Sequence, residues 1–179
     1  REYGNTISEG LFLSAMGVLY KLKKNFKESY KYYQMAERLL PDDHSLKIIT
    51  ATLLIDEFHQ FDTALRKLKK ILQDESNDPS LMHHARALAG IAYHGISKRT
   101  EAKDVFSKLI EEDFTKLRSA ANVNYRLPEY FISKGFETES CRRYLEKALA
   151  LAKQKREPIF IQVIAELIKQ LDLLKVEKT

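Results

Sequence analysis

The sequence predicts an all-α chain, an α-solenoid of about four helical hairpins closed by a C-terminal capping helix. Three observations carry that expectation. A grid of small and aromatic residues recurs along the chain. Only six Gly and four Pro occur in 179 residues, among many Leu, Lys, Glu and Ala, so helix breakers are scarce. Hydrophobic residues reach 44% and charged ones 31%, a balance that suits a packed chain rather than a disordered one.

The grid is clearest from Gly10 to Asp42. Two amphipathic segments flank a turn at Lys24–Asn25, and from Gly17 the pattern runs through Tyr20, Ser29, Tyr33 and Ala36 to Pro41. Small residues at 17, 29 and 36 let two helices approach closely, with Tyr20 and Tyr33 filling the gap. Pro41 stops the second helix, because its ring cannot continue the hydrogen-bond ladder. The same size classes return at Gly90, Tyr93, Ala102, Phe106 and Leu109. A version with one extra turn residue runs through Ala51, Leu54, Ala64, Leu68 and Ile71, and again through Pro128, Phe131, Cys141, Leu145 and Ala148.

These residues resemble the tetratricopeptide repeat (TPR) family, whose unit is a helix-turn-helix of about 34 residues. The first unit matches best and the third well; the second and fourth are degenerate, and the family's usual Trp is missing throughout. The resemblance covers residues 9–152, with units near 9–42, 43–76, 79–113 and 115–152. It implies one domain curved into a right-handed superhelix, preceded by a polar lead-in over 1–8 and followed by a capping helix over 153–179.

In order, Ser8 is a candidate cap for the first helix, and Asp43 or Ser45 for the next. The stretch from Asp74 to Pro79 reads as a linker, with Pro79 opening a helix where its missing N–H costs nothing. Thr100 is a candidate cap for the helix that returns through Val105 and Phe106. Pro128 falls inside a segment otherwise helical from Lys116 to Lys134. A kinked long helix is the preferred reading, and a break near Arg126–Leu127 the alternative. After Pro158 the last helix carries Ile159, Phe160, Val163, Ile164, Leu167, Ile168, Leu171 and Leu174.

No catalytic constellation is present. The sequence lacks a Gly-rich phosphate loop, H-E-x-x-H, G-x-S-x-G and any Cys/His ligand spacing. His84 and His94 share a helix face some ~15 Å apart by helix rise, too far for one metal. An enzyme is therefore not expected, nor a cofactor or metal. The lone Cys141 excludes an internal disulfide and reads as core. It is compatible with the cytoplasm, the favoured compartment, and also with the periplasm. The chain opens at Arg1 without a charged-then-apolar leader, so a processing boundary is expected there. No stretch approaches about eighteen apolar residues, so no membrane span is expected.

Function is then expected on the surface of the array. By resemblance, the partner groove is lined by Leu11, Ser14, Val18 and Lys21, then Ser45, Ile48, Thr52 and Ile55. His84, Ala87, Ile91 and His94 continue it, with Asn122, Tyr125, Glu129 and Ile132 last. Its mixed lining suits a protein or peptide with apolar anchors. One subclass of the family clamps a C-terminal carboxylate with Lys, Asn and Arg. Here Ser14, Val18, Ile49, His84 and Leu88 take those places, so an EEVD-type chaperone tail is not expected. Self-association through Leu167, Ile168 and Leu171 is the first alternative. The second is nucleic-acid binding at Lys21, Lys23, Lys24, Lys27 and Lys31 or at Arg66, Lys67, Lys69 and Lys70, since the net charge is +5.

Overall fold

The computed structural model describes residues 2–74 and 78–176, which are helices joined by short turns, with no strand among them. They belong to two compact units, residues 1–75 and 76–179. The first unit holds α1 (Glu2–Leu22), α2 (Phe26–Leu39), α3 (His44–Asp56) and α4 (Phe61–Leu72). The second holds α5 (Pro79–Gly95), α6 (Arg99–Glu111), two single 3-10 turns, α7 (Arg126–Ser133), α8 (Thr138–Gln154) and α9 (Pro158–Val176). The all-α expectation holds, with paired antiparallel helices as the building block. The expected linker centres on residues 75–77, outside the described residues.

In the first hairpin, side-chain size sets how closely the helices meet. A Cβ on Gly17 would stand 2.8 Å from the Tyr33 ring, and one on Gly10 would stand 2.7 Å from Leu40. Ser29 Oγ donates to the Gly17 carbonyl at 2.8 Å, tying α2 to α1 at the closest approach. Around this contact Leu13, Tyr33, Ala36, Leu46 and Leu53 form a core flanked by Phe26, Tyr30, Leu39, Ile49 and Phe58. A half-buried polar link crosses three helices. Lys67 Nζ meets Glu37 at 2.6 Å, and Thr50 Oγ1 donates to the same carboxylate at 2.5 Å.

Four of the turns share one device. Lys24, Ser97, Gly135 and Arg156 all adopt left-handed backbone (φ 58°, 63°, 58° and 57°) just past a helix end. The next N–H reaches back five residues: Asn25 to Tyr20, Lys98 to Tyr93, Phe136 to Phe131 and Glu157 to Ala152, all at 2.9 Å. This is the Schellman closure, in which the backward bond satisfies a terminal carbonyl. In three of the four, the accepting carbonyl belongs to the aromatic residue of the repeat grid.

Several local expectations change. Residues 2–8 are the first turns of α1 rather than a lead-in, and Ser8 caps nothing; its Oγ donates to the Gly4 carbonyl within the helix. Asp43 caps α3, and Asp78 caps α5 with Pro79 in its first turn. Thr100 lies inside α6, whose first flanking residue is Lys98. The long kinked helix through Pro128 does not form. The chain makes 3-10 turns at Phe114–Lys116 and Ala120–Asn122, and α7 starts afresh at Arg126. Pro128 thus falls in a first turn, where no backbone donor is needed. Asn124 Oδ1 accepts from the N–H groups of Arg126 and Leu127 at 3.1 and 3.2 Å, a side-chain cap for that new start.

Candidate interaction surface

The predicted lining falls in two sets, one in each unit, and the two differ sharply. In the second unit most of it serves the interior. Ala87 is 0% exposed and Ile91 2%. Leu127 of α7 lies against Gly90, where an added Cβ would stand 3.1 Å from Leu127 Cδ1. His84 Nδ1 takes a hydrogen bond from the Asn124 amide at 3.2 Å. Burial, and then the adjacent His83 imidazole, hold His84 below the ordinary histidine range. His94 meets the Tyr130 hydroxyl at 3.1 Å, and burial, Arg99 and Lys134 lower it too. Tyr125 stacks on Phe160 of α9 at 6.0 Å, and its hydroxyl donates to the Ala120 carbonyl. Asn122 is half-buried in a 3-10 turn, Ile132 is buried, and only Glu129 stands fully in solvent.

Beneath these residues lies a polar cluster that no spacing rule singled out. His83, fully buried, contacts Glu112 Oε2 through Nδ1 and the Tyr144 hydroxyl through Nε2, both at 2.7 Å. Tyr144 donates to the Asn124 carbonyl at 2.9 Å. Arg86 Nη1 completes the Glu112 carboxylate at 2.5 Å, and Lys147 Nζ closes the carbonyls of Ile110 and Glu112. Each polar group in the cluster has a partner, as a buried network requires. Its work is to fasten α5, the end of α6 and α8 to the segment before α7. Among the described residues no group of three or more His, Cys, Asp or Glu is placed to hold a metal ion.

The C-terminal helix requires a correction as well. Leu167 and Leu171 are buried where α9 packs on α8, Leu171 with 2% exposure, and Ile168 is half-buried. Leu167 and Leu171 are core and are not available to a second copy. The second basic cluster is also partly internal, since Lys67 is half-buried against Glu37. No described helix is long and apolar enough to cross a membrane.

In the first unit the lining is open on α1. Leu11 is 59% exposed and Val18 46%, with Lys21 exposed and Ser14 half-exposed. On α3, Ile48 and Thr52 are half-buried, Ser45 is exposed and Ile55 is buried. Sequence reasoning missed the extent of the α1 face. Phe12 at 62% and Leu22 at 77% are more exposed than Leu11 and Val18, and Ile7 and Leu19 join them. The signal was present in the sequence: Leu11-Phe12-Leu13 and Val18-Leu19 put apolar residues on every side of the helix. A helix that is apolar all round is normally covered all round. At its C-terminal end Lys21, Lys23, Lys24 and Lys27 stand in solvent, with no acidic partner among the described residues.

No family model matches the chain, and no curated protein matches it in sequence. Two solved structures of MamA do resemble it. The one titled "MamA RS-1 ArsTM double mutant" is 15% identical with a TM-score of 0.55, over 82% of this chain and 77% of that one. The other, "Crystal structure of MamA protein", is 17% identical at the same TM-score of 0.55, over 98% and 94%. At such identity the likeness carries the fold alone: the chain has an all-α architecture of helical hairpins.

Proposed function

We propose that the chain is a non-enzymatic protein-interaction module that holds a partner's helix or peptide against the open face of α1. The observation that carries this reading is the concentration of exposed apolar side chains on that helix. Six of the ten large hydrophobic residues exposed among the described residues are Ile7, Leu11, Phe12, Val18, Leu19 and Leu22. Contiguous exposed apolar surface on a folded chain marks an interaction site. The solvent-facing lysines at the α1–α2 turn favour an acidic flank on the partner. The missing clamp at Ser14, Val18, Ile49, His84 and Leu88 argues against a carboxylate-held chaperone tail.

The test is recovery of partners from the native source by wild type beside Leu11→Asp/Val18→Asp, read by mass spectrometry. Both positions are exposed, so the far-UV helical signal should not change. Partner recovery should fall at least about tenfold, equivalent to ~1.4 kcal/mol. Equal recovery from both would remove the reading. Ile91 and Tyr125 are unsuitable probes, because substituting either disturbs the interior of the second unit.

A further inference from the structure

We infer that the open face of α1 is a seam for a second copy of the same chain, paired helix to helix in antiparallel register. This rests on the α1 interaction face proposed above and names its occupant.

At roughly 100° per residue, the exposed apolar and small side chains of α1 cover an arc of about 140°, with the exposed Asn5, Glu9 and Lys21 outside it. Down its middle run the small residues Gly4, Ser8 and Ala15, and around them stand Ile7, Leu11, Phe12, Val18, Leu19 and Leu22. The opposite face of the same helix has this composition already in use. There the small Gly10 and Gly17 receive Leu40 and Tyr33 of the returning segment. α1 therefore carries two faces built to receive helix side chains, one filled within the hairpin and one open. Among the described residues, no atom beyond Gly4's chain neighbours and its own helix's backbone lies within 4 Å of a Cβ built there.

The open face is complementary to itself in one orientation. Gly4 and Ser8 lie in its N-terminal half, and Val18, Leu19 and Leu22 in its C-terminal half. A two-fold axis beside Leu13 sets Leu22 opposite Gly4 of the second copy, Leu19 opposite Ser8, and Leu11 opposite Ala15. Ile7 and Val18 then meet along one edge. A two-fold contact of this kind uses one patch twice and closes on itself. Charge selects the same orientation. Parallel copies would bring Lys21, Lys23 and Lys24 of one chain against those of the other. Antiparallel copies hold the two lysine groups about 30 Å apart, close to the length of the helix. A seam of one helix from each chain is smaller than a standard interface of about 800 Å² a side.

Sedimentation of the full chain over about 1 to 300 μM reads the seam directly. The expected result is a shift from one to two chains across the series. Val18→Lys and Leu22→Lys should weaken it at least tenfold. Gly4→Leu and Ser8→Leu should do the same although they add apolar surface, because they fill the seats for Leu22 and Leu19. The paired variant Leu11→Cys/Ala15→Cys should form a covalent dimer on mild oxidation, while Ile159→Cys should not. Unchanged helical signal and thermal midpoint control for folding. A chain that stays single over the whole series would overturn the inference. So would a dimer indifferent to Gly4→Leu and Val18→Lys, or binding of single chains to phosphatidylserine vesicles that Gly4→Leu strengthens. If the chain stays single yet Leu11→Asp/Val18→Asp loses a different protein, the interaction reading stands and only the second copy falls.

Discussion

At Gly17 the repeat becomes a matter of tenths of an ångström. Its backbone lies against the Tyr33 ring, Tyr33 is almost wholly buried, and Ser29 bonds the Gly17 carbonyl from the same side. A methyl group at position 17 has no flexible end to push aside, only a packed aromatic ring. Gly17→Ala should therefore lower stability by roughly 1–3 kcal/mol, as overpacked cores do, despite the better helix propensity of alanine. Urea unfolding followed by far-UV dichroism measures it, and an unchanged or higher midpoint would refute the packing account. These contacts were legible because residues twelve to nineteen apart in a helical hairpin have little choice but to meet. Ala87, Ile91 and Tyr125 were not legible as interior. Each has the spacing of a groove residue, and its burial follows from how α7, α9 and the segment before them pack on their neighbours.

The helices are written in the apolar period, and their ends in turn chemistry. The four Schellman closures show how the two levels meet, since the carbonyl that accepts the backward bond is often the grid's own aromatic residue. Only one of the four left-handed positions is glycine; Lys24, Ser97 and Arg156 pay a steric cost for their Cβ atoms. Ser97 is exposed, and its turn joins α5 to α6. Ser97→Gly should thus raise stability by a few tenths to ~1 kcal/mol, the relief exceeding glycine's extra freedom in the unfolded chain. A thermal scan settles the sign, and a lowered midpoint would contradict it. Pro128 teaches the opposite lesson. Its ring forbids a helix interior, yet two outcomes satisfied that rule. What favoured a fresh start was Asn124, whose side chain caps the new helix, and two 3-10 turns capped by Asp113 and Ser119.

Across the whole chain, the buried titratable groups set a window of pH. His84 and His94 are held below the ordinary 6.5, mainly by burial, so the fold disfavours their charged forms. Their contribution is present above 6.5 and is lost as the pH falls. On the alkaline side, burial and then Glu137 raise the Cys141 thiol from 9.0 to about 12. Burial likewise raises Tyr144 and Tyr125 above the ordinary 10.0. The stability these groups carry is present below their ordinary values and is lost as the pH climbs toward the raised ones. The thermal midpoint should accordingly be highest between about 6.5 and 9, and Tyr144→Phe should leave the tyrosinate absorbance that forms before unfolding unchanged. Loss of part of that early absorbance in Tyr144→Phe would show that this ring is not sealed in the core.

The sequence by itself determined the helical class, the hairpin unit, most helix boundaries and the close contact at Gly17. All of these depend on periodicity and on residues near one another along the chain. Tertiary structure alone decided which surfaces remain open. Leu167 and Leu171 lie on one face of their helix as Leu11 and Val18 do, but α9 buries that pair against α8, whereas α1 meets α2 on one side only. Amphipathic period records that a face is apolar; whether another helix lies on it depends on contacts between distant segments, which no local pattern encodes.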